Sequence, residues 1–127
     1  MATGMDKYYA EMDAALAEIY APGMFFYVRS DFFHIVRPRR RALLLSLLYN
    51  YAADEAAKHG GDPDVPFVCD ARDIANKIGL NPRTQSRYFK ALIAERFITR
   101  LVDADGQQKF RLNHPEIERA IRGSINE

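Results

Sequence analysis

Apolar residues along the chain switch between two periods, and the switches mark its elements. Over residues 6–21, Tyr8, Tyr9, Met12, Leu16, Ile19 and Tyr20 recur at helical spacing, and Pro22-Gly23 ends the run. The aromatic stretch Met24-Phe25-Phe26-Tyr27-Val28 is too short for a helix and reads as a buried extended segment. Ser30 is placed to cap a short turn through Ile35. A long helix is predicted from about Pro38 to Lys58, with Pro38 at its first position, where a missing N–H is no loss. It packs along Leu44, Leu45, Leu48 and Tyr51. Gly60-Gly61-Asp62-Pro63-Asp64 is a loop, and Val65 to Cys69 reads as a short strand that Pro66 confines to an edge.

Punctuation is denser from here on. Asp70 is an N-cap, with Asp73 in the first turn, where the helix dipole favours an acid. The helix turns Ile74, Ala75 and Ile78 inward and stops at Gly79. Asn81 caps the next helix and Pro82 occupies its first turn. That helix runs to about Arg96, with Tyr88, Phe89, Leu92 and Ile93 on its apolar side. Two alternating runs, Phe97 to Val102 and Gln107 to Leu112, flank Asp103-Ala-Asp-Gly106 and predict a β-hairpin. A short helix from Pro115 to Arg122 closes the chain.

Composition changes this picture little and charge changes it more. At 127 residues the chain is one structural domain with an ordinary soluble composition. Within it, residues 1–36 add the N-terminal helix and aromatic segment to a main body at 37–127. The longest apolar run, Ala42 to Tyr49, is too short to cross a bilayer and follows three arginines, so no membrane partner is expected. A single cysteine, Cys69, and the absence of a secretory leader point to a cytoplasmic, reducing setting, including a nucleoid-associated one. The net charge is only +1, yet residues 29–50 carry +4 and 71–100 carry +5, against −3 over 1–28 and −4 over 51–70. Two basic blocks can therefore share one face of a nearly neutral protein.

The order of elements from Pro38 to Leu112, with D-A-R-D-I-A-N-K-I-G-L-N-P-R-T-Q-S-R-Y-F-K-A-L at 70–92 and F-I-T-R-L-V-D-A-D-G-Q-Q-K-F-R-L at 97–112, resembles the winged helix-turn-helix superfamily. The resemblance implies a mainly α fold with a small β-hairpin wing, an extra N-terminal helix and a short C-terminal helix. Ala75 is small where two helices would cross, and Leu80 and Leu92 would seal the space between them. Thr84 resembles the family's frequent Thr beside a phosphate. Arg83, Ser86, Arg87, Lys90 and Ala94 share one helix face. In this family that face enters the major groove, so Arg83, Ser86, Arg87 and Lys90 are the expected base-contacting residues. Arg72, Lys77 and Thr84, with Arg100, Lys109 and Arg111 on the hairpin, are the expected backbone or wing contacts.

Gln85 departs from the family, where Val or Ile is usual. Periodicity places it with Tyr88, Phe89 and Leu92, and burying its amide unpaired would cost about 1–3 kcal/mol. Either it finds a backbone partner, the reading preferred here, or the helix rotates and Gln85 reads an adenine edge. Arg39, Arg40 and Arg41, in the Arg37-Pro-Arg-Arg-Arg41 run, form either a phosphate clamp at a helix start or a partner for an acidic patch such as Asp62 and Asp64. Residues 5–20 offer a stripe that packs on the domain itself or builds a homodimer.

The upstream segment from Phe25 to Phe33, followed by A-L-L-L-S-L-L-Y-N-Y-A, is similar to the N-terminal winged-helix domains of phage and plasmid replication initiators and replisome organisers. No catalytic or metal-ligating set is visible: His34, His59 and His114 fall on separate elements, and the position where a calcium loop opening at Asp103 would need Glu is His114. The expectation is therefore a non-enzymatic, cofactor-free protein that binds double-stranded DNA in transcription regulation or replication initiation. The alternative is a winged-helix module that docks on a protein partner, such as a phage factor on a host protein.

Overall fold

The computed structural model describes residues 25–125, so the helix predicted over 6–21 and the packing or dimer stripe over 5–20 lie outside the described residues. The run after Pro38 forms helix α1 (Arg39–Lys58), with Pro38 as its N-cap rather than its first helical residue. Ala42, Leu44, Leu45, Ser46, Leu47 and Leu48 are all buried, so this stretch is covered on every side. One cover is the chain that precedes it: a 3-10 helix (Ser30–His34) brings Phe32, wholly buried, and Val36 against α1. Ser46 is polar inside this packing because its Oγ accepts the backbone N–H of Arg29 at 3.1 Å.

The other cover comes from helices α2 (Ala71–Ile78) and α3 (Pro82–Ala94) and a hairpin of β1 (Ile98–Val102) and β2 (Gln108–Leu112). Helix α4 (His114–Ile125) closes the described chain and buries Ile117 and Ile121 in the same core. The described part is thus mainly helical, with one small antiparallel hairpin, a layout compatible with a winged-helix arrangement.

Local chemistry accounts for most boundaries. Asp70 accepts the N–H groups of Arg72 and Asp73, and Gly79 closes α2 in the left-handed region at φ 79°. Asn81 Oδ1 accepts the Thr84 N–H at 2.8 Å and starts α3. Helix α3 stops two residues short of Arg96, because Arg96 itself turns left-handed (φ 66°). Its N–H bonds the carbonyl of Ile93, and the Phe97 N–H reaches back to Leu92, both at 3.0 Å. This is a Schellman closure with arginine where glycine usually sits.

The strand expected at Val65–Cys69 reduces to one residue. Phe67 exchanges both backbone bonds with Phe110, each 2.8 Å, on the outer side of β2. Pro66 has no N–H to extend the ladder, and Asp70 is already committed to capping α2.

Candidate functional site

Helix α3 divides cleanly by side. At 3.6 residues per turn, Arg83, Ser86, Arg87, Lys90 and Ala94 span an arc of about 100°, and all five are exposed. Gln85, Phe89 and Leu92 are buried on the opposite side. Among the described residues, none of Arg83, Arg87 and Lys90 has an ion-pair partner.

This arrangement does nothing for the helix. Arg83 and Arg87 are like charges four apart, which costs roughly 0.2–0.5 kcal/mol, and Arg83 sits in the first turn, where the dipole disfavours a cation. The first turn of α3 holds no acid to offset either effect.

Gln85 is 4% exposed, and its Nε2 donates to two carbonyls, Ala71 and Leu80, each at 2.9 Å. The side chain thereby ties the first residue of α2 and the turn after Gly79 to α3. Both N–H groups of its amide are thus taken inside the fold, which removes the donors an adenine edge would need.

A cavity of about 330 Å³ lies between α3 and the hairpin, lined among others by Pro82, Gln85, Ser86, Phe89, Cys69, Arg100 and Gln108. Strand register explains which cations reach it. Arg100 pairs with Phe110 and shares that residue's face, its guanidinium 6.0 Å from the ring centroid. Lys109 pairs with Leu101 and Arg111 with Thr99, so both point to the opposite face. Lys109 lies 3.8 Å from Asp103, and Arg111 lines a separate depression with Asp64 and Glu116. The three hairpin cations expected to act together are therefore split, with Arg100 alone on the α3 side.

Two other expected clusters are also divided. Lys77 has a side chain only 12% exposed and pairs with Asp73 at 3.1 Å, while Asp73 also accepts the Tyr51 hydroxyl. Burial, and then this bond to Asp73, raise the Tyr51 phenol above its ordinary pKa. Lys77 is thus held between α1 and α2, whereas Arg72 on the same helix is exposed. Thr84 is half-buried, its backbone N–H taken by the Asn81 cap.

In the Arg39–Arg41 trio, Arg39 stacks 5.0 Å over the Phe33 ring and Arg40 is exposed. Arg41 is a strut: its guanidinium meets Glu95 at 2.6 Å and joins the start of α1 to the end of α3. The clamp therefore loses Arg41, and the acid that holds it is Glu95 rather than Asp62 or Asp64. The i,i+4 spacing of Asp73 and Lys77 was a sequence signal for their pairing. Nothing local signalled Glu95 as the partner of Arg41, more than fifty residues away.

Cys69 lines the cavity, and burial pushes its thiol up to about 12. Among the described residues, no group of three or more His, Cys, Asp or Glu is placed to hold a metal, and no helix is long and apolar enough to cross a membrane. Comparison with protein-family models, with curated proteins and with solved structures finds no match to this chain.

Proposed function

We propose that the chain is a winged helix-turn-helix protein that binds double-stranded DNA sequence-specifically, in transcription regulation or replication initiation. One observation carries the reading: three cations share the exposed face of α3 without a counter-charge among the described residues, and at a cost to the helix. Such a face gains its compensation from an anion outside the protein, and DNA supplies phosphates at the required density. In this reading α3 enters the major groove. Arg83 and Arg87 grip guanine O6 and N7, and Ser86 and Lys90 add polar and phosphate contacts.

Arg72, exposed at the start of α2, and Arg100, on the α3 side of the hairpin, hold the flanking backbone. Arg40, exposed at the start of α1, is a further phosphate contact in this reading. Lys77, Lys109 and Arg111 are left out of the interface by their pairing or their face. The mechanism is occupancy of a site and recruitment to it, with no chemistry on the DNA.

A protein-docking role would draw support from acids beside α3. Glu95 is paired with Arg41, and Asp70, between the cavity-lining Cys69 and Ala71, is engaged in capping α2, which favours DNA over a basic protein partner.

The test is binding to a labelled mixed-sequence duplex across a salt series, for wild type and for the Arg83→Ala/Arg87→Ala/Lys90→Ala variant. The wild type should show a log–log slope of about −0.9 per phosphate neutralised, and the variant should lose much of it. An unchanged slope in the variant, or no binding at low salt, refutes the assignment.

A further inference from the structure

The cavity between α3 and the hairpin contains a polar group that the fold leaves half satisfied. Gln85 lines this space and is 4% exposed, with its Nε2 donating to the carbonyls of Ala71 and Leu80. Two carbonyl partners fix the orientation of the amide, because only its nitrogen can donate to them. The other end, Oε1, has no donor among the described residues, yet it is not one of the fully enclosed atoms. The cavity is the opening that Gln85 lines, so Oε1 is an acceptor offered to whatever fills it.

The rest of the lining narrows the choice of occupant. Phe89 and Phe110 are both buried, with ring centroids 4.9 Å apart and planes tilted by 30°. Phe110 is held from both sides, by its β1 partner Arg100 and by two backbone bonds to Phe67, so this apolar wall stands without an occupant. Arg100 shares that face and has no ion-pair partner among the described residues. No carboxylate lines the cavity, and Asp70, next to Cys69, is engaged at the α2 cap.

An acceptor, an aromatic wall and an unpaired guanidinium ask for three features in one molecule: an N–H or O–H donor, a flat apolar ring and an anion. A space of about 330 Å³ is at the lower end of small-molecule sites, so the occupant is small. A single guanidinium matches a singly charged carboxylate better than a phosphate monoester carrying nearly two charges.

We propose that the cavity between α3 and the hairpin binds a small aromatic acid that carries a hydrogen-bond donor. Its carboxylate pairs with Arg100, its ring lies against Phe89 and Phe110, and its donor meets Gln85 Oε1. Ser86 also lines the cavity, and Ser86 and Arg100 both belong to the DNA-facing set proposed above. In that reading the acid and DNA compete for the cleft, whereas the binding of the acid does not rest on it.

The test is direct binding to the full chain, read by calorimetry and by amide shifts in NMR spectra, with no DNA present. The probe is 4-hydroxyphenylacetate, compared with phenylacetate, which lacks the donor, and p-cresol, which lacks the acid. The probe should bind saturably and shift residues of α3 and the hairpin. Phenylacetate should bind about fivefold more weakly, and p-cresol at least about tenfold more weakly. Arg100→Ala should weaken the probe at least about tenfold, and because Arg100 is exposed the variant should melt as the wild type does. Arg111→Ala removes the same charge from the opposite face and should leave binding unchanged. The proposal is overturned by the absence of saturable binding, by phenylacetate binding as tightly as the probe, or by Arg100→Ala weakening it no more than Arg111→Ala.

Discussion

Replacing Gln85 with leucine tests the packing of α2 on α3 most directly. The substitution keeps most of the side-chain volume and removes the Nε2 that donates to Ala71 and Leu80. The Ala71 carbonyl lies in the first turn of α2 and retains helical bonding, so its loss is that of one ordinary hydrogen bond, about 0.5–1.5 kcal/mol. The Leu80 carbonyl follows the Gly79 turn, and its residue is 2% exposed, so it faces the larger penalty of a buried acceptor without a donor, about 1–3 kcal/mol. Leucine recovers part of this by burying more apolar surface. A net loss of about 2 kcal/mol is expected, which for a domain of this size lowers the melting temperature by about 6–10 °C.

Urea unfolding followed by circular dichroism reads it as a lower midpoint at constant slope. Gln85→Glu sharpens the test by pH. Its carboxylate faces two carbonyl oxygens, which raises its folded pKa above the usual glutamate value. The variant should therefore be relatively more stable below about pH 4 and lose that stability as pH rises through the raised pKa. A Gln85→Leu variant within about 0.5 kcal/mol of wild type, with no acid stabilisation of Gln85→Glu, refutes the bonding scheme.

Other expectations follow from single contacts. A double-mutant cycle on Arg41→Ala and Glu95→Ala should return a coupling of about 1 kcal/mol by denaturation, reduced by added salt. Arg96→Gly should stabilise the chain by about 0.5–1 kcal/mol in thermal melts, because glycine accepts the left-handed conformation at no steric cost. Cys69 should react with iodoacetamide at pH 8 on the order of 10²-fold or more slowly than a free thiol, since so little of it is thiolate. Its raised folded pKa favours the folded state below the ordinary thiol range. That contribution should fade as pH rises from about 9 towards 12, and Cys69→Ala should flatten this part of the stability profile.

What could be read in the sequence by itself was local. Asp70 and Asn81 cap through bonds two or three residues away, Gly79 ends α2 by its own backbone freedom, and the Asp103–Gly106 turn joins two short strands. The split of α3 into an outer face at Arg83, Arg87 and Lys90 and an inner face at Gln85, Phe89 and Leu92 follows from helical period alone. Each of these rests on interactions within one turn, so the residues that make them are neighbours in the sequence.

Tertiary structure decided what the side chains were free to do. Arg41 became a strut because docking α1 on α3 brought Glu95 to it. Lys77 was drawn inward by Asp73 below Tyr51, and register sent Arg100 to one face of the hairpin and Lys109 and Arg111 to the other. The strand at Val65–Cys69 shrank to Phe67 because only that residue met β2 before Asp70 turned the chain into α2. Period and propensity say which way a residue points from its own element. Only the packing of elements against one another says which charge or carbonyl it will meet there, because those partners lie far along the chain.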